Sequence, residues 1–394
     1  MKLPGDLGHL TYCLNIHPAE DWAACRAALT GPVAAVRDRV CPGEIFDVGL
    51  RFSNDALAAL DDPTSRDDLQ SIMAEQGFRA LTVNGFPYGP FHGTRVKEDV
   101  YQPDWTRPER LAYTTGLIAL MAEIGPEEMP ISLSTVPGTY KPLADGKEAL
   151  MAESLLRATA FAVQTAQDTG RQVALAIEPE PFCFLETIAE TVSFFEQYLF
   201  SETAVKGLAR RTGLATGEAA TALPRHLGLC YDVCHAAVEY EDPAGSIQAL
   251  RSAGIPVHKL QLSAALQVPS VDAEARAALA AFDEPTYLHQ VVSRRGSGPV
   301  RYEHDLAPAL SRDNSDGEEW RIHFHVPLFV DRIPPFGSTQ AFLSEILALH
   351  KANPISPHLE VETYTWGVLP DGMRGTSIDE DIARELTWVR ERLV

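Results

Sequence analysis

Carboxylates and histidines gather along four apolar runs in the later part of the chain: VALAIEPE (173–180), LGLCYDVCH (227–235), RIHFHVPL (321–328) and LEVETY (359–364). Successive side chains of a strand face opposite ways, so each run separates into two faces. Val173, Leu175 and Ile177 share a face that opposes Glu178 and Glu180. Leu227, Leu229, Tyr231 and Val233 oppose Gly228, Cys230 and Asp232. Ile322, Phe324, Val326 and Leu328 oppose His323 and His325, and Leu359 and Val361 oppose Glu360 and Glu362. If the aliphatic faces pack on helices, the four polar faces meet. Burying that many carboxylates costs several kcal/mol each unless protons or a cation neutralise them. Two or three carboxylates with one imidazole suit a divalent metal (Mn, Zn, Mg or Co) with positions left open for a substrate oxygen. Each member alone has an ordinary explanation. A strand-end Glu caps a helix or pairs with Arg, Asp232 and His235 read as an N-cap and a helix residue, and His323 and His325 suit an exposed edge. The coincidence across four runs carries the metal reading.

The elements that would position these groups alternate along the chain. Strand-like segments lie at 10–17, 45–53, 79–88, 130–135, 172–180, 227–235, 257–263, 321–329 and 359–366, with helical stretches between most of them; the longest helix is expected over 146–169. A stretch rich in Gly, Ala and Thr near 200–226 reads as loose. Strand alternating with helix at this spacing argues for βα units and a parallel sheet, and about eight units argue for a closed (β/α)8 barrel. Nine strand candidates are one too many. Either VHKLQLS (257–263) or RIHFHVPLF (321–329) is the seventh barrel strand, and both alternate equally well. The expectation is one barrel domain over 1–394 with an insertion over 264–320, in which TYLHQVVSR and VRYEHDL pair as a β-hairpin. Pockets of such barrels lie where the strands end. His17, Asn84 and His289 are weaker candidates for lining one, and His323 and Arg332 are further substrate-binding candidates.

Length and composition fit this picture. The chain has 394 residues, 45% hydrophobic and 22% charged, which excludes a disordered or fibrous protein. Its formal net charge of −21 repels phosphate backbones and anionic lipid, so nucleic acid and membrane surfaces are poor partners and a small molecule is expected. No apolar run reaches the roughly 18 residues of a membrane span. MKLPGDLGHL lacks the basic and apolar regions of a signal peptide, and the six cysteines form no CxxC pair. The expectation is a cytoplasmic protein with reduced thiols.

The order IEPEP, YDVCH, HFH, LEVETY resembles the xylose isomerase-like TIM-barrel superfamily of sugar isomerases, ketose epimerases and metal-dependent abasic-site endonucleases. That pattern is a Glu ending strand five, D-x-x-H at strand six, a His on strand seven and a Glu ending strand eight. The resemblance implies Glu178, Asp232, His325 and Glu362 as metal ligands, with His235 near the substrate. The E-P-x-P form at 178–181 is similar to xylose isomerase, which has Lys where Glu180 stands here. Longer phrases (LTYCLNIHP, YDVCHAAVEYEDP, KLQLSAAL, TYLHQV, HFHVPLF and LEVETYTWGVLP) resemble the EboE family, metabolite traffic proteins of the ebo operon. That likeness implies a barrel, a secondary-metabolite setting and other proteins of the operon as partners, but no fixed reaction.

The leading functional expectation is a metal-dependent isomerase, epimerase or lyase acting on a polyhydroxylated or carbonyl-bearing metabolite. Glu180, Glu186 and His235 are its acid–base candidates, and Lys259 would stabilise an enolate. A second expectation is a binding or traffic protein that keeps the pocket without turnover; Gln261, where superfamily enzymes often place His, favours it. A metal-dependent phosphodiesterase comes last, since the acidic surface disfavours a nucleic acid duplex.

Overall fold

The computed structural model describes residues 1–370 and 374–394. Eight strands form one parallel sheet: β1 (His9–Tyr12), β2 (Phe46–Arg51), β3 (Phe78–Asn84), β4 (Ile131–Thr135), β5 (Val173–Ile177), β6 (Leu227–Asp232), β7 (Val257–Leu262) and, after six further strands, β14 (His358–Val361). The strand order is β1-β14-β7-β6-β5-β4-β3-β2, and a parallel bridge between Cys13 and Gly49 brings the two ends of the sheet together. The fold is a nearly closed (β/α)8 barrel. Its strands are buried on both faces, as parallel strands between a packed interior and a ring of helices must be. Gly49 sits at the seam, where a Cβ would run into the Glu360 carboxylate, so only glycine lets β1 and β2 approach.

The helices follow their local signals. Helix 148–169 ends on Gly170 in the left-handed conformation, and Thr187 opens helix 188–194 with a capping box completed by Glu190. The stretch expected to be loose instead holds two helices, Glu202–Thr212 and Thr216–His226. Ser201 caps the first and Gly213 stops it in the left-handed region, while the alanines supply helix propensity that outweighs Gly207 and Thr221 inside the helices.

The surplus strand belongs to a second, antiparallel sheet inserted after β7. It contains β8 (Ala265–Val268), β9 (Val291–Arg294), β10 (Arg301–Glu303), β11 (Glu319–His325), β12 (Arg332–Ile333) and β13 (Phe336–Ser338), in the order β10-β9-β11-β8-β13-β12. Val257–Leu262 therefore fills the seventh barrel position, pairing in parallel with β6 and β14. RIHFH lies in the inserted sheet, which extends beyond Trp320 to Ser338. β9 and β10 pair antiparallel, Val291 opposite Glu303. Periodicity could not separate the two candidates because both alternate apolar and polar residues, and both are almost wholly buried by neighbours that a single sequence does not display. All six cysteines are free and buried, and no helix among the described residues is long and apolar enough to cross a membrane.

At the N-terminal end of the barrel Asp47 is fully buried and accepts from His9 Nδ1 (2.8 Å) and Arg79 Nε (2.6 Å). Burial pushes its carboxyl up, but the His9 hydrogen bond and nearby positive charges outweigh that and hold it below the usual range. A carboxyl whose folded pKa lies under its unfolded value of about 3.9 stabilises the fold above that pH. The contribution is lost as pH falls through the folded pKa. Asp47→Asn is expected to lower the melting temperature at pH 7, at a cost of roughly 2–3 kcal/mol. The gap from the parent should shrink as pH is lowered below about 4. An unchanged gap between pH 7 and pH 3 would show that the carboxylate's charge is not what stabilises this end.

Candidate metal centre

Four elements deliver the expected ligands to one place. Glu178 follows β5, Asp232 ends β6, Glu362 follows β14, and His325 ends β11 of the inserted sheet. The resemblance expects that histidine on strand seven. Here the inserted sheet supplies it, through an irregularity in the β11–β8 register between Ile322 and His325 that re-aims the chain end. Glu178, Asp232 and Glu362 each place a carboxylate oxygen within 4.8 Å of the other two, and Asp232, His235 and His325 form a second such group. Asp232 is common to both.

Three buried atoms here have no hydrogen-bond partner: Glu178 Oε2, Asp232 Oδ2 and His325 Nε2. The companion atoms of Asp232 and His325 are engaged. Asp232 Oδ1 accepts from the Ser263 hydroxyl (2.7 Å) and the His235 amide (3.0 Å), which caps helix 233–238. His325 Nδ1 lies 2.6 Å from the Glu362 carbonyl. A carbonyl only accepts, so Nδ1 carries the proton and Nε2 presents its lone pair. Asn15 Nδ2 (2.5 Å) and Asn84 Nδ2 (3.2 Å) hold Glu362 Oε1. Three unsatisfied buried atoms on three elements, two of them (Asp232 and His325) oriented through their other atom, fit a divalent cation.

The electrostatics agree. Burial, then the charges of Glu362 and Asp232, push the Glu178 carboxyl well above its ordinary range. Burial raises Asp232 as well, against the pull of His325 and the Ser263 hydroxyl. Burial lowers His325, which favours the neutral imidazole that a metal requires.

A second cluster adjoins the first. His235 Nδ1 donates to the Pro179 carbonyl (2.8 Å), which leaves its Nε2 lone pair free; burial pulls its pKa down to about 4. Gln290 gives its amide N–H groups to the Pro181 carbonyl (3.2 Å), the Tyr101 hydroxyl (2.8 Å) and Glu180 Oε1 (3.3 Å). Its carbonyl oxygen therefore faces His323 Nδ1 at 2.8 Å, and His323 presents the lone pair of Nε2. The two Nε2 atoms of His235 and His323 stand 3.1 Å apart. Glu180 Oε1 also accepts from Tyr101 (2.7 Å), and burial raises this carboxyl to about 8.

The other expected residues separate. Asn84 lines the cleft above the carboxylates. His17 is buried elsewhere, its Nε2 on the Tyr12 hydroxyl at 2.9 Å. His289 is turned to Glu284 (3.0 Å) and to the His323 carbonyl (3.1 Å), and its neighbour Gln290 reaches the site instead. Arg332 is exposed on β12 and is not part of the cleft. Glu186 accepts from the Phe182 amide and pairs with Lys141 outside the cleft. Lys259 does not reach the cleft either. It is fully buried in the barrel interior, where it pairs with Glu360 and donates to Ser134 Oγ (3.2 Å). Burial pulls its ammonium down, but Glu360 outweighs that and keeps it charged. Sequence reasoning missed Asn15, Tyr101, Gln290 and Tyr364, whose residue types carry no metal or acid–base signal on their own.

The chain matches no protein-family model and no curated protein sequence. Among solved structures it is similar to the IolI protein with a bound zinc atom (12% identity, TM-score 0.47, 98% of this chain and 99% of that one). It is also similar to the 3-keto-D-glucoside 4-epimerase YcjR from E. coli (12% identity, TM-score 0.42, 98% of each chain). A third is a xylose isomerase domain containing protein from Salmonella typhimurium (12% identity, TM-score 0.43, 100% of this chain and 99% of that one).

Proposed function

We propose that the protein is a divalent-metal-dependent isomerase or epimerase acting on a small molecule with a hydroxyl group beside a carbonyl. The observation that carries this reading is the trio of buried, unpartnered ligand atoms, Glu178 Oε2, Asp232 Oδ2 and His325 Nε2, beside Glu362. A cation held by these four would act as a Lewis acid, polarising adjacent substrate oxygens and making the C–H between them more acidic. The chain's own groups handle the proton. Glu180 opens onto the cleft, and Tyr101 and Gln290 fix its Oε1, so its other oxygen is placed to take a proton from carbon and return it. His235 and His323, both neutral and aimed into the same space, are placed to pass a proton between neighbouring oxygens. The pattern shared with the EboE family supports a substrate from secondary metabolism and a working context among other proteins of such a pathway. The buried free thiols are in keeping with the reducing cytoplasm.

The test is proton exchange. Protein loaded with Mn is incubated in D2O with a panel of α-hydroxycarbonyl compounds, and loss of the α-proton signal is followed by NMR. Exchange is expected for at least one compound, and Glu180→Gln should slow it by about 100-fold while metal content stays the same. Metal-loaded protein that binds a compound with no exchange would favour the traffic reading, in which the barrel carries its ligand unchanged.

A further inference from the structure

The cleft above the candidate metal centre opens to solvent and has two unlike ends. Its floor is Glu178, Glu180, His235, His323 and Glu362; its walls are Phe86, Phe91, Tyr287, Leu288 and Tyr364 with two valines. Two loops form the roof. The Val96 and Lys97 amides donate to the Thr286 carbonyl (2.8 and 2.9 Å), and Lys97 Nζ pairs with Asp305 at 2.6 Å.

The wall's polar atoms are almost all engaged by the protein. Asn84 donates to Glu362 and accepts from the Phe86 amide (3.0 Å), Tyr101 is bound to Glu180, and the Tyr287 hydroxyl is held at 2.9 Å from His92 Nδ1. Asn15 Oδ1 is buried without a partner. What remains, apart from the Tyr364 hydroxyl, which makes no hydrogen bond among the described residues, is aromatic. Phe91, Tyr287 and Tyr364 contact one another with centroid separations of 5.0 to 5.4 Å, and Tyr364 continues the wall to 4.4 Å from the His325 ring. A sugar carries a hydroxyl on nearly every carbon, and each one buried here without a partner costs roughly 1–3 kcal/mol. A flat apolar ring gains from the same surface.

Resting on the metal-centred reading above, we propose that the substrate is an α-hydroxycarbonyl compound, or its enediol tautomer, whose body is a planar apolar ring, and that free sugars are excluded. The two oxygens lie at the carboxylate floor and the ring lies against Phe91, Tyr287 and Tyr364. Substrate discrimination thus resides in the roof loops and not in the ligand set.

Calorimetric titration of the Mn-loaded full chain with 4-nitrocatechol, a fixed cis-enediol on a flat ring, and with D-fructose, a polyhydroxylated α-hydroxycarbonyl, tests this. 4-Nitrocatechol should bind at least about 100-fold more tightly than D-fructose. Phe91→Ala and Tyr287→Ala should each weaken 4-nitrocatechol roughly tenfold, with Mn affinity unchanged as the sign of an intact fold. Should one variant not fold, the other decides. Equal or tighter binding of D-fructose, no binding of 4-nitrocatechol, or no effect of a folded ring deletion overturns the assignment. Ring-dependent binding of 4-nitrocatechol by protein that takes up no Mn sinks the metal reading and leaves the cleft assignment standing; Mn uptake with a preference for sugar does the reverse.

Discussion

Asp232→Asn is expected to abolish the response of the protein to divalent metal. Mn or Zn added to the chelated parent at about 1,000 times its Kd should stabilise the fold by roughly 4 kcal/mol, a melting-temperature rise on the order of 5 °C for a chain of this size. Asparagine keeps the oxygen that caps helix 233–238 and accepts from Ser263, so the fold is retained. It places an amide where Asp232 Oδ2 now faces Glu178 and Glu362, which removes a ligand and a negative charge together. The sign of the second effect is opposite to that of most substitutions. Without metal, three carboxylates repel one another in a buried space, so the variant should melt at or above the temperature of the chelated parent. Asp232→Ala should lose the metal response too, but at lower basal stability because the cap is gone, a cost of about 1 kcal/mol. Thermal melts with EDTA, Mn and Zn read all of this. A metal-induced rise in the Asp232→Asn variant equal to the parent's would falsify the ligand assignment.

Lys259→Met should be the most destabilising single change inside the barrel. Lys259 and Glu360 are both fully buried and pair across adjacent strands β7 and β14. Methionine fills much of the lysine stem's volume but leaves the Glu360 carboxylate without its cation. Removing one partner of a buried pair costs about 3–5 kcal/mol, more than the pair itself is worth against apolar replacements. The double variant Lys259→Met/Glu360→Gln is therefore expected to recover most of the loss. Urea unfolding with a shared m-value measures both. A single variant within 1 kcal/mol of the parent, on the order of an exposed pair's worth, would mean the pair contributes little. Because Lys259 lies below the cleft, metal affinity in the folded fraction should change far less than stability does.

The barrel and the convergence of Glu178, Asp232 and Glu362 were legible because they rest on local rules. Alternation assigns Glu178, Asp232 and Glu362 to the face opposite their aliphatic neighbours, and all three lie where that face leads. The same rule places Glu360 beside Glu362 but cannot say that Glu360 sits a layer deeper, against Lys259, because depth in a barrel depends on strand stagger. His289, expected to line the cleft, was misplaced for a related reason. The segment contributes one inward side chain, and only the pairing of β9 with β11 determines which. The aromatic wall was invisible for another cause: Phe91, Tyr287 and Tyr364 come from three distant segments whose composition resembles ordinary core.

The inserted sheet leaves β7 through only two residues, Ser263 and Ala264, and returns His323 and His325 to the barrel from about sixty residues further along the chain. The complete set of candidate ligands thus comes together only after two sheets of different topology have both formed and docked. Local contacts within each sheet come first, while the docking closes a long loop and comes late. Cation uptake is consequently expected to signal completed assembly: a folding intermediate with a finished barrel and an undocked insertion would hold three carboxylates and His235 without the His325 imidazole. Time-resolved metal binding during refolding should lag behind the recovery of secondary structure, and that lag would measure the docking step itself.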